Sequence, residues 1–268
     1  MKQYLTLLFV IISSFLVAIE PQGSNKYPTT TWLTPRNTIG TVLSTSSLKD
    51  WGRGYKSFTV VGSSISVNAG SNGATSKYFD YGSGVNNTSY LDALTWDYSQ
   101  PMTAFVVFSP SAPQAWPLAS DCPVIISASN SSIVSGWLGY AGVNGNIAFY
   151  QLSEFSWCRP QTDLVVTYDM NVYHEFGINK PMSIAVSWSG SGKLGQLWAN
   201  GRFIGQNQCN GSNGTCGRGD CFRIGGDLYN YTGYASIKLY HVVVFNKVLS
   251  NAEVTQLDEQ LRKPLLNK

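Results

Sequence analysis

Charge is scarce in this chain: only 12% of its 268 residues are Asp, Glu, Lys or Arg, and the net charge is a scattered +3. No run clusters lysine with arginine, so nucleic acid is excluded as a partner. Histidine is scarcer still, with only His174 and His241. Neither stands with a second cysteine pair at zinc-ligand spacing, which sets zinc aside. Glycoside hydrolysis normally needs two facing carboxylates, and no strand carries acids two or four residues apart in a recognisable string. Beyond the first residues, no apolar run approaches the roughly 18 residues that a membrane-spanning helix needs.

What is present is Gly, Ser, Thr, Asn, Tyr and Trp, a composition suited to sheets and their turns. Lys2, then the apolar run Leu5 to Val17 and the small residues near Ala18, predict a signal peptide over 1–20. A polar approach segment follows over 21–56. The remainder, 57–268, reads as one all-β domain, a size such domains reach. The expected localisation is secreted, in an extracellular setting. Five cysteines fit an oxidising compartment: Cys122 and Cys158 as one pair, and Cys209, Cys216 and Cys221 sharing one segment with their pairing open. Six sequons, at Asn86, Asn87, Asn130, Asn210, Asn213 and Asn230, mark candidate glycosylation sites.

From Ser57 onward short strand signals follow closely. FTVVGSSISV alternates in part, as a single half-buried strand would. MTAFVVFS, bounded by Pro101 and Pro110, is nearly all apolar and fits a central strand. PVIISAS, IVSGWLGY and NIAFYQL follow, divided by Gly, Asn and Ser. Near the C-terminus Ser250 and Glu253 form a capping box, and Leu249 with Val254 a hydrophobic staple. Val254, Leu257 and Leu261 give the helix one apolar stripe, which Pro264 is expected to end.

Taken in order, SYLDA with PMTAFVVFSP, then WANGRFIG, RIGG, and FNKVLSNAE, the segments resemble the laminin-G-like modules of the concanavalin A-like lectin and glucanase superfamily. The likeness covers roughly Ser89 to Leu261. It implies a two-sheet antiparallel jelly-roll sandwich with a short C-terminal helix, and ligand binding through rim loops or one sheet face. Asn200 and Gly201 would supply the positive φ of a type I′ turn. Gln206 to Cys221 reads as a cysteine-rich insertion in the hairpin that leaves at FRIGG.

The functional candidates divide by chemistry. Aromatic rings outside the apolar runs can stack on sugar rings: Trp96, Trp116, Trp137, Trp157, Tyr229 and Tyr231. Trp188 and Trp198 read as core. A glycan or a glycosylated extracellular surface is therefore the expected partner. Cys216 to Cys221 encloses Arg218, Gly219 and Asp220, a tripeptide resembling integrin-binding loops, so an adhesion role stands as an alternative, as does a structural surface protein. A polysaccharide-cleaving enzyme of the same fold is a further alternative, with Asp163, Asp169, His174 and Glu175 as the nearest acid–base candidates. His241, inside LYHVVVF, reads as a structural histidine. Similar domains hold calcium with loop carboxylates and carbonyls, which makes Asp169 and Asp227 the candidates for that ion.

Overall fold

The computed structural model describes residues 30–33, 35, 40, 42–43, 58–61, 65–70, 73–81, 90–96, 100–110, 124–129, 134–141, 146–152, 162–168, 180–190, 194–208, 219–225 and 237–266. They form a two-sheet antiparallel sandwich with a short C-terminal helix.

The first sheet runs in the order β13 (Arg202–Gln208), β12 (Leu194–Ala199), β11 (Met182–Trp188), β6 (Met102–Pro110), β15 (Ile237–Phe245), β4 (Gly73–Asp80), β3 (Ser66–Gly70). Strand β1 (Thr30–Leu33) pairs with Val242–Phe245 of β15, on the same edge that β4 uses at Lys238 and Leu239. The second sheet runs β10 (Thr162–Tyr168), β9 (Asn146–Leu152), β8 (Val134–Ala141), β7 (Val124–Ser129), β14 (Gly219–Ile224), β5 (Tyr90–Trp96), β2 (Phe58–Val61). Along one side of the sandwich β10 lies against β13.

Strand β6 explains why one sheet must be covered twice. Met102, Ala104, Val106 and Phe108 enter the core between the sheets. Phe105 and Val107, on the alternate face, enter a second core with Ala185, Trp198, Val243, Phe245, Val254 and Leu257. The near-continuous apolar run is thus a strand buried on both faces. Helix α1 (Asn251–Leu261) is the cover, and Val254, Leu257 and Leu261 are the stripe that docks. Its start is the anticipated capping box: Ser250 Oγ accepts from Glu253 N, while a Glu253 carboxylate oxygen accepts from Ser250 N. Trp188 and Trp198 are both core residues, one between the sheets and the other under α1.

The β12–β13 turn is the expected two-residue hairpin, with φ of 48° at Asn200 and 76° at Gly201. It is clamped to the helix layer. Thr255 Oγ1 donates to Gly201 O at 2.8 Å, and Trp198 Nε1 donates to Asn251 Oδ1 at 2.9 Å. Beside it Asp258, 1% exposed, accepts from Arg262 Nε at 2.5 Å, from Arg262 Nη2 at 2.6 Å, and from Ser183 Oγ.

Two expectations need correcting. FTVVGSSISV is not one strand: Phe58–Val61 is β2 of the second sheet and Ser66–Gly70 is β3 of the first, because the chain changes sheet between Val61 and Ser66. Gln206 to Cys221 does not interrupt a hairpin. It joins the edge strand β13 of the first sheet to β14, an interior strand of the second. The helix does end ahead of Pro264, as expected: α1 stops at Leu261, and Pro264 lies in the first turn of a short second helix α2 (Lys263–Leu266), where its missing N–H costs no hydrogen bond.

Candidate functional site

Two adjacent rows of residues cross the second sheet from edge to edge. The first is Val60, Leu91, Ile224, Ile126, Leu138, Phe149 and Val166, joined strand by strand in register. Every member is apolar, and Val60, Leu91 and Ile224 lie in the core between the sheets. The next row is Thr59, Asp92, Arg223, Ser127, Trp137, Tyr150 and Val165. Successive residues of a strand alternate faces, so this second row lies on the face away from the core. Its central positions are occupied by residue types that carry a carboxylic acid, a guanidinium, a hydroxyl, an indole and a phenol. Such groups can accept and donate hydrogen bonds and offer two aromatic rings, as a polar ligand with C–H faces requires.

Strand β5 keeps an unbroken register with β14, from Ile224 opposite Leu91 to Gly219 opposite Trp96. Trp96 therefore belongs to the same face as Asp92. The sheet thus brings two of the predicted aromatic candidates, Trp96 and Trp137, to one face. Of the adhesion tripeptide, Gly219 and Asp220 open β14 as strand residues, and Cys221 stands opposite Leu94 and Ser129. Asp163 lies in β10 at a register irregularity between Thr162 and Leu164. Trp116, Trp157, Tyr229, Tyr231 and Arg218 lie outside the described residues. So do Cys122, Cys158, Cys209 and Cys216, the six sequon asparagines, and Asp169, Asp227, His174 and Glu175. Sequence reasoning missed Asp92, Ser127, Tyr150 and the placement of Arg223. Alternation within each strand was the available signal, but only register aligns the strands into rows.

The first sheet carries a different polar cluster on its helix-side face. Asn68 Nδ2 donates to Asp80 Oδ2 at 2.8 Å, and Lys238 Nζ stands 5.2 Å from the centre of the Tyr78 ring. Tyr78 and Tyr240 pack with ring centres 5.6 Å apart. Burial, then the Asp80 carboxylate, pushes the Tyr78 phenol above its usual range; burial does the same to Tyr240. Both phenols stay neutral at ordinary pH, and the cluster ties β3, β4 and β15 together. The register shift between Leu239 and His241 makes Tyr240 a bulge residue, so Tyr240 and His241 share a face.

Burial pushes the His241 imidazole down to about 4 from its usual 6.5. The ring is neutral in the folded protein and becomes protonated on unfolding at any pH between those values. Stability is therefore unaffected by this group above about 6.5, falls as pH drops toward 4, and levels off below. The loss amounts to up to about 3 kcal/mol. Urea unfolding of the natural chain and of His241→Asn, compared from pH 7 to pH 4, should show the extra decline only in the former. Parallel profiles would refute this assignment.

The Ser183, Asp258 and Arg262 group resembles a reactive triad in composition only. All three are buried where the end of α1 meets β11, and the carboxylate is taken up by Arg262 at the same helix end and by Ser183 of β11. Among the described residues no group of three His, Cys, Asp or Glu could hold a metal ion, and no helix is long and apolar enough to cross a membrane.

No protein-family model matches the chain, and no curated protein matches it. Solved structures do. A botulinum neurotoxin DC binding domain in complex with SialylT superposes with a TM-score of 0.61 at 12% identity, over 89% of this chain and 52% of that one. The receptor-binding domain of botulinum neurotoxin type G gives 0.61 at 14% identity, over 87% and 51%. A structure of type C, whose cell entry depends on interaction with two ganglioside molecules, gives 0.60 at 11% identity, over 87% and 51%. A further DC binding domain, in complex with rat synaptotagmin II, gives 0.58 at 12% identity, over 83% and 51%. The chain thus spans about half the length of the structures it matches. At such identities the likeness establishes the fold alone, a β-sandwich found in lectin-like binding domains.

Proposed function

We propose that the chain is a non-catalytic carbohydrate-binding module of the concanavalin A-like, laminin-G-like type, working at an extracellular surface. The observation that carries this reading is one register row of the second sheet, which places Asp92, Arg223, Ser127, Trp137 and Tyr150 opposite one another on five neighbouring strands. Solved neighbours over most of the chain are binding domains, one in complex with SialylT and one tied to gangliosides, which supports the same reading. The signal-like first 20 residues fit an exported module, and Asp169 and Asp227 remain the calcium candidates.

A glycan array probed with the purified chain, with and without calcium, tests it. Binding to a defined set of glycans is the expected result. Silence in both conditions would overturn the carbohydrate reading.

A protein receptor is the second reading. It is favoured by the neighbour in complex with rat synaptotagmin II and by the Arg218-Gly219-Asp220 tripeptide, of which Gly219 and Asp220 open β14. If cells attach through that tripeptide, Asp220→Glu abolishes attachment; attachment that persists removes it from consideration.

A further inference from the structure

We propose that Asn200 is a self-modifying residue guarded by the β12–β13 turn. It loses ammonia to become aspartate or isoaspartate only when the turn opens, and the product no longer docks beside α1. The required neighbour is present: Gly201 follows, and with no side chain to shield it, its backbone nitrogen can reach the Asn200 side chain once the chain is free. Gly201 N attacks Asn200 Cγ, so a new N–C bond forms and the Cγ–Nδ2 bond breaks. The Gly201 amide proton leaves with Nδ2 as ammonia. Water then opens the cyclic imide at either carbonyl, giving aspartate or, with one extra main-chain methylene, isoaspartate. Water is the sole co-reactant.

The closed turn withholds this reaction in two ways. The φ values of 48° at Asn200 and 76° at Gly201 are those of a type I′ turn, whose first central residue has ψ near about +30°. That value turns the Gly201 nitrogen to the side of the Cα–C bond away from Cβ, so the imide ring cannot close. The side chain is also held. Asn200 Oδ1 accepts from Ser183 N at 2.9 Å, and Asn200 N donates to Ser183 O at 2.8 Å. From the helix side, Thr255 Oγ1 donates to Gly201 O at 2.8 Å and keeps the turn shut. Reaction therefore waits on local opening, which costs less than global unfolding.

The surroundings of the side chain bar the return. Asn200 Nδ2 is buried and has no hydrogen-bond partner among the described residues. In aspartate an anionic oxygen takes that place, and a buried charge without a donor is costly. Ser183 is itself buried and already meets one carboxylate, because its Oγ donates to Asp258 Oδ1. Deamidation thus brings a second carboxylate to the same serine, where like charges oppose ionisation. Isoaspartate does more. Lengthening the main chain inside a two-residue turn breaks the pairing of Ala199 with Arg202. Either product loosens the turn from α1 and leaves a permanent record of the opening.

The test is peptide mapping by mass spectrometry of the full chain, held in mildly alkaline buffer at physiological temperature. Mapping separates Asn200 from the other Asn-Gly pairs, which begin at Asn144, Asn210 and Asn213. A synthetic peptide of residues 197–204 is the reference. In the folded chain Asn200 should convert at least about ten-fold more slowly than in the peptide, and in guanidinium at the peptide's rate. Thr255→Val, which removes the helix's bond to Gly201 O at an exposed site, should raise the folded rate several-fold. Conversion in the folded chain at the peptide's rate, or a Thr255→Val rate equal to the natural one, overturns the guard. Asn200→Asp supplies the product directly. Its urea midpoint should fall below the natural chain's at neutral pH, and the gap should narrow as acid protonates the new carboxylate. An equal midpoint at neutral pH overturns the loss of docking.

Discussion

Replacing Asp258 by alanine is expected to lower the stability of the fold by about 3–5 kcal/mol, the usual cost of removing one partner from a buried ion pair. Asp258 is 1% exposed and Arg262 is 8% exposed, so the guanidinium left behind would have little access to water. Two guanidinium nitrogens donate to the two carboxylate oxygens, at 2.5 and 2.6 Å, and Ser183 Oγ donates as well. The single substitution therefore strands donors on both the helix and β11. A Cβ added at Gly201 would stand only 2.9 Å from the Asp258 Cβ. That contact shows how closely the turn and α1 are packed. Urea unfolding followed by tryptophan fluorescence measures the loss, with Trp198 beneath α1 as a local reporter. Asp258→Leu combined with Arg262→Met should recover much of it, since well-packed apolar residues can replace a buried ion pair at little cost. A loss below about 1 kcal/mol for Asp258→Ala would show that the pair is no more than a surface-type contact.

What was legible in the sequence follows from how local each signal is. The capping box at Ser250 and Glu253, the Asn200-Gly201 turn and the apolar run of β6 are each decided by neighbouring residues, and each stands where the sequence places it. The change of sheet after Val61 is not local. Ile65 and Val67 alternate but Val60 stands an odd five residues from Ile65, and this partial alternation alone does not show that β2 and β3 belong to different sheets. Likewise the segment after Gln206 resembles a lengthened hairpin, because only the pairing of β14 with β5 and β7 reveals a crossover. The binding face follows the same rule. A tryptophan outside an apolar run can be noticed one residue at a time, as Trp96 and Trp137 were. Asp92, Ser127 and Tyr150 gain meaning only beside Arg223 and Trp137, and that adjacency is a property of register. One acid and one serine in separate strands give no motif.

Gly225→Ala should be the other severe substitution, at about 2–5 kcal/mol. Two effects combine there. The residue has a φ of 87°, in the left-handed region where a side chain costs roughly 1–2 kcal/mol. An added Cβ would also lie 2.3 Å from Cε1 of Tyr81, a clash of the overpacking kind that costs about 1–3 kcal/mol. The ring has no room to retreat, being fully buried in the core between the sheets. Its hydroxyl donates to Ile224 O at 3.3 Å, and its backbone N–H donates to Ile237 O at 3.1 Å. Gly40 provides the control, since its φ is 85° but an added Cβ meets nothing within 4 Å. Gly40→Ala should therefore show the backbone cost alone, and the difference between the two variants isolates the steric one. Shortening the ring with Tyr81→Ala in the Gly225→Ala background should relieve the clash, giving a clearly non-additive double-mutant cycle in urea unfolding. Additive losses would mean that the backbone alone makes glycine necessary.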